Sequence, residues 1–219
     1  MLKFNSNRET KLALSSRKRP PDTMRCMIVS PLPPAPGADK HTSLALSNTL
    51  FIVPGNAQVE LLDSPATTTK WLIEHKLVPQ ETELQDYCHS KLTMLRTQLR
   101  HLFDAHIANT APDPDILIQV NTTMRMAPQA LTLEHHQKSG FAQVTSHPVT
   151  QLVEHAMARI TEDAATLLTE EEASLIEQCG APSCNRLFLR THARRHWCST
   201  RCGDRVRAAR AYAKKKKQS

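Results

Sequence analysis

Two short stretches, Cys179-Gly-Ala-Pro-Ser-Cys184 and Cys198-Ser-Thr-Arg-Cys202, separated by thirteen residues, decide how the C-terminal part of this chain folds. Zn2+ prefers four soft ligands at tetrahedral corners, and a pair of cysteines a few residues apart can wrap a tight turn around the ion so that both sulfurs point inward. The spacer lets the second pair return to close the shell. Two disulfides would need an oxidising compartment, and an iron-sulfur cluster would need redox partners of which the chain gives no sign. The expected cofactor is therefore one structural Zn2+ held by Cys179, Cys184, Cys198 and Cys202. Four cysteines leave no open position for water, so the metal is expected to hold the fold rather than to catalyse. The segment offers few large apolar groups besides Leu187, Phe188, Leu189 and Trp197, and it needs the ion to fold. Trp197 reads as a packing lid over the metal, and His192 and His196 as surface or phosphate-facing residues. Gly180 and Gly203 are expected where the backbone bends around the ion.

Charge is segregated along the 219 residues, whose formal net charge is +7. Residues 1–40 carry eight Lys or Arg against three acids, residues 41–178 eight against seventeen, and residues 179–219 twelve against one. An acidic middle and a strongly basic end suit a chain in which one unit meets a polyanion and the other does something else. After Cys202, good helix formers run without a proline, so a basic helix is expected from near Asp204, with Asp204 as its cap. On that helix Arg207, Arg210, Lys214 and Lys217 form one cationic stripe. Arg194, Arg195, Arg201 and Arg205 add to the surface, with Arg186 and Arg190 before them. The planar fork of arginine suits phosphate or a guanine edge. The candidate nucleic-acid contacts are thus Arg194, Arg195, Arg201, Arg205, Arg207, Arg210, Lys214 and Lys217, with duplex DNA the expected partner.

The rest of the chain reads as mainly α, with aromatics at only 4% of the residues, so that aliphatic side chains must build the core. Prolines at positions 20, 21, 31, 33, 34 and 36 mark residues 1–40 as a disordered leader. Met24 and Met27 are alternative starts. Leu44 to Val53 form an apolar element ending at Pro54-Gly55. Ser64-Pro65 starts a helix of about four turns that buries Trp71, Leu72 and Leu77 and closes at Pro79. From Leu84 to Phe103 apolar residues recur every three or four positions, with Glu83, Lys91, Arg96 and Arg100 elsewhere, giving the strongest helix. A further helix runs from about Pro114 to Met126 after Asp113. A β-hairpin is expected across residues 131–144, and a last long helix from Val149 to Leu167. The fold expected is an α+β arrangement with three parts. These are the leader (1–40), a mainly helical domain with a small hairpin (41–178), and a treble-clef or ribbon-like zinc module with a basic C-terminal helix (179–219).

Cys179 to Cys184, Arg194-Arg195, Trp197-Cys198-Ser199 and Cys202-Gly203-Asp204-Arg205 resemble the CGNR zinc-finger family. Leu44 to Thr49, Leu61 to Leu72 and Leu95 to Phe103 resemble the ABATE domain that precedes that finger. The name-giving asparagine is Asp204 here. Such proteins are regarded as stress-induced bacterial transcription regulators. The resemblance implies a finger that binds DNA and an acidic helical domain that senses a small-molecule signal or forms a homodimer.

No run of apolar residues is long enough to span a bilayer and the N-terminus has no secretory core, so a cytoplasmic protein, nucleoid-associated when on DNA, is expected. The alternative is a zinc-stabilised module for RNA or an acidic protein. An enzyme is not expected. Cys88 lies on the buried side of a helix, the adjacent His135 and His136 point to opposite faces of a strand, and with five glycines there is no phosphate-cradling loop.

Overall fold

Ser64 sets the tone of the helical part by capping its helix twice over. Its side chain accepts from the Thr67 amide, while Thr67 Oγ1 accepts from the Ser64 amide at 3.0 Å. With Pro65 in the first position, this reciprocal cap starts α2 (Pro65–Glu74). The structure, a computed structural model, describes residues 32–126, 131–137, 139–145 and 151–218. The basic residues Arg8, Lys11, Arg17, Lys18 and Arg19, the alternative starts and Val149 lie outside the described residues.

The chain order is α1 (Thr42–Ser47), β1 (Leu50–Val53), β2 (Ala57–Glu60), α2, α3 (Asp86–Ile107), α4 (Pro114–Arg125), β3 (Leu131–His136), β4 (Gly140–Thr145), α5 (Leu152–Thr169), a short 3-10 turn (Glu171–Leu175), β5 (Ile176–Gln178), β6 (Leu187–Leu189) and α6 (Thr200–Lys216). The mainly helical reading is right. Among the described residues, three antiparallel hairpins accompany the helices, pairing β1 with β2, β3 with β4 and β5 with β6. The expected hairpin at residues 131–144 forms, with His135 opposite Phe141. The element before Pro54-Gly55 is one turn and a half of helix followed by a strand, and those two residues turn β1 back onto β2 instead of ending it.

α5 is the central helix. Val153, Ala156, Ile160, Ala164 and Leu167 recur at three and four residues and are all buried. α3 lies against it through Leu92, Leu95, Leu99, Leu102 and Phe103. α4, capped by Asp113, buries only Val120 and Thr123. Leu187 and Leu189 of β6 join the same apolar cluster as Leu44 and Leu46 of α1, and residues Pro33–Ser219 pack as one compact unit.

Several boundaries differ from expectation. α2 ends at Glu74 rather than at Pro79, because Lys76 takes a left-handed backbone (φ 56°) that breaks the helix, and Leu77 packs into the core from beyond it. α3 starts after Glu83 and Leu84. Arg96 is not on its outer face but is 6% exposed, because its guanidinium grips Glu60 of β2 through two bonds of 2.6 and 2.7 Å and donates to Thr49 Oγ1 at 3.1 Å. α6 begins at Thr200, not near Asp204, because Ser199 caps it by accepting from the Cys202 amide. Residues 33–40, placed with the leader, lie along the C-terminal hairpin: Ala35 is buried, and the Leu189 amide donates to the Pro36 carbonyl at 2.8 Å. Gly37, at φ 90°, sits so close beneath Leu189 that a Cβ there would lie 2.5 Å from Leu189 Cγ.

Candidate metal centre and nucleic-acid interface

β5 delivers the chain to Cys179, a turn closed by the Cys184 amide on the Ala181 carbonyl (3.1 Å) brings Cys184 back, and the first turn of α6 carries Cys202. Cys198 stands just before the Ser199 cap. The four sulfurs lie within 4.8 Å of one another and all four residues are buried. A tetrahedral ion with Zn–S bonds of about 2.3 Å sets its sulfurs about 3.8 Å apart. The Cys184–Cys198 and Cys198–Cys202 separations are 3.8 and 3.7 Å, so the donor set fits zinc in number, chemistry and spacing.

The thiols are close enough to perturb one another. Hydrogen bonds from Cys184 and Cys198 hold Cys179 down to about 2, and the same contacts push Cys184 up to about 11 and Cys198 upward as well. Four thiolates around Zn2+ carry a net double negative charge, and two arginines stand beside it. Arg186 Nη1 is 4.0 Å from Cys198 Sγ and Arg205 Nη2 is 3.8 Å from Cys202 Sγ. The Cys198 amide also donates to Cys179 Sγ at 3.3 Å.

Those arginines are committed elsewhere as well. Arg186, 5% exposed, donates to the Pro33 carbonyl at 2.9 Å and covers the Phe51 ring. Arg205, a predicted nucleic-acid contact, turns inward to the Pro182 carbonyl at 2.9 Å. Arg190 pairs with Glu177 at 2.9 Å. Arg207 pairs with Asp204 across one turn at 2.6 Å. Asp204 therefore does not cap α6; it holds an arginine. Arg194, Arg201, Arg210, Lys214 and Lys217 are exposed and Arg195 is half-buried. Every residue from Arg207 to Gln218 is exposed, and the stripe Arg207, Arg210, Lys214 and Lys217 runs outward from the metal centre along α6 and its C-cap.

Trp197 packs against the metal cluster as a lid. Its indole lies over α6 where Gly203 would otherwise place a Cβ 2.9 Å from Trp197 Cδ1, so this glycine makes room for the ring rather than for a backbone bend. The left-handed residue of the ligand loop is Ser183 (φ 57°), not Gly180. A cavity of about 370 Å3 opens beside the lid, between His196, Trp197, Gly180 and Arg210. His192 is exposed. Cys88 is half-buried against the helical core, and His135 and His136 are exposed, on opposite faces of β3.

The zinc module is tied to the helical part by residues outside the expected site. The Asn48 side chain donates to the Leu187 carbonyl at 2.9 Å and accepts from its amide at 2.8 Å. Asn185 Oδ1 accepts from the Ile52 amide at 2.8 Å. A buried asparagine between an apolar run and a strand was the only signal for the first of these.

No helix among the described residues is long and apolar enough to cross a membrane. Residues 40–171 match the family ABATE, described as "Putative stress-induced transcription regulator", and residues 176–215 match the CGNR zinc finger. No curated protein matches the chain.

Proposed function

Since the chain belongs to the ABATE family and ends in a CGNR zinc finger, we propose that it is a regulator of transcription whose finger binds duplex DNA. The single observation that carries this reading is the division among the cations. Arg186, Arg190 and Arg205 are turned to the protein, whereas Arg210, Lys214 and Lys217 stand exposed on a helix rooted in the metal site. The ten residues Arg207–Lys216 span about 15 Å at the helical rise, and the major groove is about 12 Å wide, which admits such a helix. Arg194, Arg195 and Arg201 flank its start and suit the phosphates on either side. The acidic helical part then senses a signal or pairs two copies, in a cytoplasm reducing enough to keep the thiols free for zinc. The chemistry points to binding rather than catalysis, because a closed four-sulfur shell offers no site for a reacting water.

A mobility shift on duplex DNA tests this. Zinc-loaded protein should bind and chelation should abolish binding. Arg210→Ala with Lys214→Ala should weaken it at least tenfold and lower the salt dependence by roughly two phosphate contacts. Retained binding by the chelated protein or by the double variant overturns the proposal, as does a preference for structured RNA over duplex DNA at physiological salt.

A further inference from the structure

A cavity of about 410 Å3 opens between α3, α4 and α5. Its apolar lining is methionine. Met157 of α5 is buried at the inner end, while Met94 of α3 and Met126, just after α4, are 61% and 53% exposed. Unbranched thioether side chains adapt their shape to what they meet, and they recur at surfaces that accept varied apolar partners.

The polar groups on the wall are already satisfied by the protein. Lys91 Nζ donates to Glu154 at 2.9 Å and lies 4.5 Å from the Tyr87 ring centroid. Gln98 Nε2 donates to Gln119 Oε1 at 2.6 Å. The Thr122 and Thr123 hydroxyls donate back to the Ile118 and Gln119 carbonyls of their own helix at 2.8 and 3.0 Å. A charged occupant would have to break the Lys91–Glu154 pair, in which hydrogen bonding raises the lysine and lowers the glutamate, holding both in their ionised forms. An occupant that asks for few hydrogen bonds breaks nothing. A pocket of this volume, between the helices of a bundle, apolar with a few polar groups at its edge, has the features of small-molecule sites.

We infer that the α3–α4–α5 cavity binds an uncharged, largely apolar small molecule, and that its occupancy is the signal the helical part reads; the second clause rests on the regulatory reading above. α4 is the wall best placed to respond. It contributes Gln119, Thr122 and Thr123, with Met126 at its C-cap, yet buries only Val120 and Thr123, so few buried side chains hold it. An occupant wedged between Thr123 and Met157 contacts α4 and α5 at once and favours one spacing of the two helices.

The test uses the full, zinc-loaded chain and N-phenyl-naphthylamine, an uncharged apolar fluorophore. Saturable binding of one probe per chain is expected. Met157→Trp, which fills the inner end, and Thr122→Trp, which narrows the cavity from an exposed position and so leaves the fold intact, should each weaken it at least tenfold. Hydrogen exchange of α4 should slow when the probe is bound, whatever happens to DNA. Absence of saturable binding, or equal binding by Thr122→Trp and the parent chain, overturns the site. So does a dimer that Met94→Glu dissociates and from which the probe is excluded, because the face would then be covered by a second copy. Probe binding that leaves both α4 exchange and DNA affinity unchanged overturns the signalling role alone, and DNA binding that fails in the absence of probe is a failure of the regulatory reading, not of the site.

Discussion

Asn48, at the end of α1, bonds to Leu187 of β6 as a neighbouring strand would, giving and receiving one hydrogen bond with its backbone at 2.9 and 2.8 Å. Leu187 is fully buried, so no water can replace either bond. Asn48→Ala should therefore cost about 2 to 4 kcal/mol, the penalty of leaving a buried donor and a buried acceptor unpaired. Urea unfolding of the zinc-loaded protein checks this. Asn48→Asp should be at least as damaging, since a carboxylate has no proton to offer the Leu187 carbonyl.

Glu60 and Arg96 form an ion pair in which the arginine is buried. Arg96 Nε is buried without a hydrogen-bond partner, so the guanidinium depends on Glu60 for its compensation. Removing the partner strands a buried cation. Glu60→Ala should destabilise by about 3 kcal/mol, at the lower end for such pairs because the Glu60 side chain keeps 31% exposure. Glu60→Ala together with Arg96→Met should recover part of that loss in the same unfolding measurement.

The metal centre predicts one zinc per chain by elemental analysis. Cys184→Ser should lower that content well below one, because a hydroxyl does not replace a thiolate in a closed four-sulfur shell. The loss should remove near-ultraviolet signal from Trp197, whose ring packs on the cluster, while the helical core retains most of its far-ultraviolet signal. Zinc affinity should fall as pH falls, since protons compete for the same sulfurs. A chain that binds no zinc, or that holds it equally well after the substitution, contradicts the ligand assignment.

Asp204 is the one acid among the twelve cations of residues 179–219 and it occupies Arg207. Both side chains are exposed, so the pair itself stabilises little. Asp204→Asn should leave the melting temperature nearly unchanged and raise DNA affinity on the order of two- to fivefold at low salt, by removing a repulsive charge and releasing an arginine. An unchanged DNA affinity at low salt contradicts this repulsive role.

Local signals accounted for much of this architecture. Ser64-Pro65 announced α2, the three-and-four period announced α3, and the spacing of the thiols announced the ligand set, because each depends on residues close together in the chain. The signals failed where the deciding partner is remote. Arg96 shares a helix face with Leu92 and Leu99, and only Glu60, thirty-six positions away, makes that face habitable for a charge. Pro54-Gly55 reads equally well as a terminator or a hairpin turn, and β1 and β2 are four residues each, too short for alternation to decide. Arginine counts show a basic surface but not which arginines also bond the protein itself, as Arg205 does at the Pro182 carbonyl. Ser199 was passed over as a cap in favour of Asp204, although the ligand Cys202 places the first turn of α6 beside Ser199.

α6 has another property that follows from how it is held. Starting a helix is the costly step and extending it is cheap. Here the Ser199 cap and the ligation of Cys202 fix the first turn, so the ion serves as a permanent nucleus. Beyond Val206 every described residue is exposed, and the run Lys214–Lys217 sets like charges near one another. Coil and helix at that end are thus close in free energy, and the balance shifts with whatever counter-charge surrounds the lysines. In the DNA-binding role proposed above, the distal turns gain helix as phosphates neutralise the lysines.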